Sequence, residues 1–72
     1  MPYQIREVQH DAANVVLRST ILPPQYDARD EAVRAVTEII ASAHLQGYNE
    51  EEGCWWARNN NGERFRYLVE GS

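Results

Sequence analysis

The sequence predicts a two-layer α+β domain in which one helix packs on a small, mainly antiparallel sheet, in the order β-β-α-β-β. Two observations predict this fold class. Short segments rich in β-branched and aromatic residues lie towards both ends of the chain, and one central segment repeats its apolar residues with the period of a helix. A length of 72 residues leaves room for a single domain, residues 1–72.

The first two predicted strands form a hairpin. Tyr3–Val8 begins with alternating polarity, and Val15–Leu22 is rich in branched side chains. Between them, residues 10–14 are polar or small and predict a turn. We expect Pro23 and Pro24 to end the second strand, because a proline has no N–H to donate to a sheet.

The central segment predicts a helix from Ala28 to Leu45. Asp27 is a suitable N-cap, and acidic residues follow in the first turn, where the helix dipole favours negative charge. Gly47 lies just beyond and predicts the helix stop. The apolar stripe expected to face the sheet comprises Ala32, Val33, Val36, Ile39, Ile40 and Ala43.

After the helix, the sequence predicts an acidic loop and a second hairpin. Residues 48–53 are polar and contain three consecutive glutamates. Two strands follow, Cys54–Arg58 and Arg64–Val69, around the turn residues of Asn59–Glu63.

Two registers of this hairpin are compatible with the sequence. A two-residue turn at Asn61–Gly62 pairs Trp56 with Tyr67, whereas a three-residue loop with Gly62 in the left-handed conformation pairs Trp56 with Arg66. The Asn-Gly pair favours the first register. Burial favours the second register, because its inner face then carries no charge.

The outer face of this hairpin is the candidate binding surface. In either register a tryptophan and at least two arginines share it, a combination that suits phosphate, single-stranded nucleic acid or an acidic protein segment. The alternative is a solvated face on which arginine stems cover an exposed tryptophan. The candidate binding residues are Trp56, Arg58, Arg64 and Arg66.

The charge distribution argues against nucleic acid as a partner. The net charge is −4, and residues 27–52 hold two arginines against seven acidic residues. Residues 53–72 hold three arginines against two glutamates, so the tail is locally basic. We therefore expect an interaction module that binds a protein partner or a second copy, with weak nucleic-acid or phosphate binding as the alternative.

No motif for catalysis, a cofactor or a metal is present in the sequence. There is no glycine-rich phosphate loop, zinc-ligand spacing or nucleophile elbow. Cys54 is expected to be a buried, inert thiol, and His10 and His44 are expected to be exposed. The sequence thus predicts a non-enzymatic protein with no cofactor and no metal. With no membrane-length apolar run, no signal-peptide pattern and a single cysteine, we expect a cytoplasmic protein without membrane contact.

The segment Tyr26–Ala32, followed by an aromatic strand, a glycine turn and a last strand, resembles short uncharacterised bacterial domains of unknown function. In those domains a hairpin precedes an Asp-Ala-x-x-Glu-Ala helix and a second hairpin follows it. The likeness spans the chain from about Leu22 to Val69. It implies the fold and no activity, cofactor or site residue.

Overall fold

A computed structural model describes residues 2–71 of this chain as five strands and one helix. The strands form one antiparallel sheet in the order β2-β1-β5-β4-β3. The α+β class is therefore confirmed, with one strand more than predicted. In chain order the elements are β1 (Tyr3–His10), β2 (Val16–Tyr26), α1 (Arg29–Ile40), β3 (Leu45–Asn49), β4 (Cys54–Arg58) and β5 (Arg64–Gly71).

The core lies between α1 and one face of the sheet. β5 is the central strand, with β1 and β4 on either side, and Ile5 on β1 pairs with Val69 on β5. The cluster of buried side chains joins the helix to three strands and comprises Ile5, Ala32, Val36, Ile40, Ala57 and Tyr67. This arrangement leaves the opposite face of the sheet without a covering element among the described residues.

The helix is shorter than predicted. It ends at Ile40 rather than Leu45, and its N-cap is Ala28, with no capping hydrogen bond from the Asp27 side chain. Residues 45–49 instead form β3, where Leu45 pairs with Arg58. Pairing with β4 outweighs the local helical pattern, because each ladder residue gains a cross-strand partner.

The acidic loop is correspondingly shorter than predicted, and Gly47 is not the helix stop. Tyr48 and Asn49 belong to β3, so the connection to β4 covers residues 50–53. Gly47 lies within β3, opposite Trp56 on β4.

The prediction that two prolines end the second strand is wrong. β2 continues through Pro23 and Pro24 to Tyr26. Tyr3 pairs with Tyr26 and Ile5 with Leu22, so the register shifts where the prolines lie and the β2 segment there is longer than its β1 partner. An edge strand tolerates proline at such an irregularity because its missing N–H breaks no second ladder.

The C-terminal hairpin adopts the three-residue register. Trp56 pairs with Arg66 and Arg58 with Arg64, as burial of an uncharged inner face requires. The N–H of Gly62 donates to the carbonyl oxygen of Asn59 at 3.1 Å, and Gly62 has φ +87°. The inner face therefore takes Trp55, and Trp56 lies on the outer face.

Candidate interaction surface

The four predicted binding residues lie together on the sheet face opposite α1, which we call the open face. Trp56 and Arg58 lie on β4, and Arg64 and Arg66 lie opposite them on β5. Trp56 is 37% exposed, whereas the three arginines are half-buried. The alternating side-chain directions of a strand explain this placement, because Tyr67 and Ala57 on the other face belong to the core.

These four residues line one depression of about 320 Å³ on the open face. Its wall also includes His10 at the end of β1, Asn14 in the β1–β2 turn, and Glu52 and Cys54 around the start of β4. With Asn49 at the end of β3, the lining of the depression comes from four strands and two turns.

Arg66 is held by partners from both turns. Its Nη2 donates to Oδ1 of Asn14 at 3.0 Å, and its Nη1 lies 3.6 Å from Oε2 of Glu52. Because both ion-pair side chains are partly exposed, the pair contributes at most about 1 kcal/mol to stability. Its main consequence is local charge neutralisation on this side of the depression.

Within residues 2–71, Arg58 and Arg64 differ from Arg66 in their contacts. Neither guanidinium makes a hydrogen bond or ion pair with another side chain of residues 2–71. Arg64 on β5 pairs with Arg58 on β4 and, across its other edge, with His10 on β1. The side chains of His10, Arg64 and Arg58 therefore form one row across three neighbouring strands. We call these three residues the cationic row, after its two arginines.

The structural position of His10 differs from the one predicted from the sequence. The sequence predicts His10 in an exposed turn, whereas the residue is the last of β1, is half-buried, and pairs with Arg64. Its Nδ1 lies 3.2 Å from the carbonyl oxygen of Asp11. Only the long-range pairing of β1 with β5 brings His10 to the depression, and no local sequence pattern signals that pairing.

Cys54 is buried, as predicted, and its thiol is held in the protonated form. Its Sγ donates to Oε2 of Glu52 at 3.6 Å. Burial raises the pKa of the Cys54 thiol, and the hydrogen bond to Glu52 and the charge of that carboxylate raise it further, against a smaller opposing effect of Arg66. Such a thiol is a poor nucleophile at neutral pH. His44 is exposed and lies in the turn between α1 and β3, beyond the helix end where it was predicted.

A second exposed feature is the β1–β2 hairpin beside the open face. Val15, Val16 and Leu17 are 57–60% exposed, and Ile21 on the same hairpin is 38% exposed. Leu22 and Tyr26 are the β2 residues that pack against the core. We call residues 15–21 the β2 edge.

Comparison with models of protein families, with curated proteins and with solved structures gave no match to this chain. The resemblance to short bacterial hairpin–helix–hairpin domains therefore stays a prediction. No helix within residues 2–71 is long and apolar enough to cross a membrane. In the same residues, no three His, Cys, Asp or Glu side chains are grouped so as to hold a metal ion.

Proposed function

We propose that this chain is a small, non-enzymatic interaction module of the cytoplasm that associates with a second copy of itself. The contact is made through the exposed part of its sheet, by pairing along the β2 edge. The observation that carries the proposal is the exposure of four large apolar side chains on one hairpin: Val15, Val16, Leu17 and Ile21. Contiguous apolar exposure of this kind is characteristic of a surface that becomes covered by a partner.

The position of these side chains favours pairing of strands. β2 is an edge strand, so one side of its backbone has no ladder partner within the described chain. Natural edge strands are usually protected by charges, prolines or a covering element. Here the prolines protect residues 23 and 24, while residues 16–22 contain one charged side chain, Arg18.

Antiparallel pairing of β2 with β2 of a second copy gives hydrogen-bond partners to the unpaired backbone groups of the edge and covers its apolar side chains. A two-fold axis makes the interface isologous, so that one self-complementary patch suffices on each copy. The pairing joins two five-stranded sheets into one, in the manner of strand addition.

A binding role rather than catalysis is supported by the chemistry of the depression. Its one thiol, Cys54, is kept protonated by burial and by the Glu52 carboxylate. The single free cysteine also suits the reducing conditions of a cytoplasm.

Sedimentation equilibrium over a range of protein concentrations tests the proposal. The wild-type chain is expected to be a dimer, and Leu17→Lys a monomer, because the new charge would be buried at the interface. Ile39→Lys is the matched control, since Ile39 is a large exposed apolar residue on α1. Amides of residues 16–22 should also exchange more slowly at high protein concentration.

Three results would contradict the proposal. The first is a wild-type chain that stays monomeric at the highest concentration. The second is an oligomer that survives Leu17→Lys, and the third is equal dissociation by Ile39→Lys. Circular dichroism of each variant establishes that the chain remains folded before its mass is interpreted.

A further inference from the structure

We infer that the depression on the open face is a binding site for the phosphate group of a small phosphorylated molecule, held by the cationic row of His10, Arg58 and Arg64. This site is separate from the β2 edge, and it does not require self-association. Three features of residues 2–71 support the inference: the spacing of the row, the absence of counter-charges beside it, and the charge of the surrounding surface.

The spacing of the row suits one tetrahedral anion. His10 is opposite Arg64, and Arg64 is opposite Arg58, on three successive strands. Neighbouring strands lie about 4.8 Å apart, so side chains directly opposite each other on one face are neighbours. The planar guanidinium groups present paired N–H donors that match phosphate oxygens. A protonated imidazole adds an N–H at Nε2, because the Nδ1 of His10 faces the carbonyl oxygen of Asp11.

In the part of the chain that the structure describes, no carboxylate pairs with the two arginines of the row, unlike the other arginines of the open face. Arg6 pairs with Glu70 at 3.1 Å, and Arg66 lies beside Glu52 at 3.6 Å. Arg58 and Arg64 have no such partner within residues 2–71. Because like charges directly opposite each other destabilise a sheet, this pair lowers the stability of the empty domain, and an anion between the two side chains removes that cost.

The surrounding charge selects a small ligand over a polymer. The depression holds three arginines and one glutamate, a local charge of +2 with neutral histidine, in a chain whose net charge is −4. Glu52 lines the depression, and Glu50 and Glu51 precede it in the same turn, so the carboxylates here repel any further phosphates. A polyanion therefore meets repulsion outside the depression, whereas a single phosphate group does not.

Trp56 provides a surface for the rest of the ligand. It borders the same depression and is 37% exposed, so part of its indole is available to an incoming ring. A volume of about 320 Å³ is enough for a phosphate group and one small ring.

Titration with inorganic phosphate and with a ribonucleoside monophosphate, followed by two-dimensional NMR at constant ionic strength, tests the inference. Both probes should shift resonances of residues 10, 58 and 64, and the nucleotide should shift the Trp56 indole as well. Arg58→Gln and Arg64→Gln should each weaken phosphate binding about tenfold or more, because each removes a charge-assisted hydrogen-bonding group. Arg34→Gln is the matched control, with the same loss of charge on the exposed side of α1.

Thermal melting separates a binding role from a structural one. Without phosphate, Arg58→Gln should melt at the same temperature as the wild type or higher, since it relieves the repulsion. With saturating phosphate the order should reverse. A variant that melts below the wild type by the same margin in both buffers would assign Arg58 a purely structural role and overturn the inference.

Three further outcomes would also overturn it. One is no resonance shift at saturating concentrations of either probe, and another is an equal loss of binding in Arg34→Gln. The third is tighter binding of a single-stranded oligonucleotide with a steep dependence on salt, which would indicate a nucleic-acid surface. Repeating the titration on Leu17→Lys keeps this result independent of the oligomeric state.

Discussion

Gly47 and Trp56 are directly opposite each other on β3 and β4, and the indole of Trp56 occupies the space that a side chain at position 47 would need. A Cβ built on Gly47 would lie 2.7 Å from Cζ2 of Trp56 and 2.8 Å from Cε2. Glycine is required here for room rather than for an unusual backbone conformation. The indole therefore lies against the backbone of β3, which fixes the orientation of this partly exposed ring.

Gly47→Ala should lower the free energy of unfolding by about 1–3 kcal/mol, because the added methyl group must displace the indole or separate the strands. Urea unfolding measures the loss. The fluorescence of Trp56 should also change as its ring leaves the backbone of β3, and a Trp55→Phe background isolates that signal.

A double-mutant cycle shows whether the indole is the cause. In a Trp56→Ala background the same Gly47→Ala change should lower the free energy of unfolding much less, because the added methyl group no longer meets an indole ring. An equal cost in the two backgrounds would mean that the β3 backbone itself, rather than contact with Trp56, requires glycine.

This contact also explains why the secondary structure of residues 41–49 is predicted incorrectly from the sequence. A glycine after an amphipathic segment is the ordinary signal of a helix end, and β3 is a five-residue strand with little β-forming sequence of its own. Its pairing with β4, and the ring of Trp56 against Gly47, exist only in the folded chain. By contrast, the strands and the turn of the C-terminal hairpin are predicted correctly, because they are adjacent in the sequence, and only the choice between two registers is left to the structure.

One part of the open face is predictable from local sequence, and the other part is not. Trp56, Arg58, Arg64 and Arg66 belong to one hairpin, so choosing its register places all four on one face. His10 and Asn14 come from the other end of the chain and reach the depression through the β1–β5 ladder. That ladder joins residues more than fifty positions apart, and no local pattern specifies it.

Ile40→Ala should cost about 2–5 kcal/mol, because Ile40 is 4% exposed at the end of the buried stripe of α1. For a domain of this size such a loss is a large part of the total stability. The neighbouring Ile39 is 40% exposed, so Ile39→Ala provides a control with the same change of side chain. Thermal melting of both variants checks the prediction, and equal shifts would show that α1 presents a different face to the sheet.

Gly62→Val should destabilise the C-terminal hairpin by about 1 kcal/mol or more, because Gly62 has φ +87° and a branched residue is strained there. Nothing lies within 4 Å of a Cβ at this position, so the effect arises from the backbone alone. Gly62→Asn should cost less, since asparagine tolerates the left-handed conformation better. Equal free energies of unfolding for the valine and asparagine variants, measured with urea, would contradict the assignment of this turn.

The Tyr67 hydroxyl links the central strand, β5, to its neighbour β1 on the helix side of the sheet. It donates a hydrogen bond of 2.9 Å to Oε2 of Glu7, the residue opposite it on β1. Tyr67→Phe removes that donor from a buried ring and should cost about 1.5 kcal/mol at neutral pH. Tyr48→Phe removes the hydroxyl of an exposed tyrosine on β3 and should leave the free energy of unfolding nearly unchanged.

The same hydroxyl should make the domain less stable in alkali. Burial raises the pKa of Tyr67 well above its ordinary value of 10.0, and the hydrogen bond to Glu7 and the charge of that carboxylate raise it further. The unfolded chain therefore releases this proton at a lower pH than the folded chain. Its contribution to stability is complete below about pH 10 and declines as the pH rises towards the pKa of the folded state.

Urea unfolding between pH 9 and pH 11 (about one unit either side of the ordinary value) should show a steeper decline of the free energy of unfolding in the wild type than in Tyr67→Phe. The raised pKa of the Cys54 thiol contributes to the slope of both chains alike, so the difference between them isolates Tyr67. Parallel slopes would show that the folded state does not hold this phenol in its protonated form.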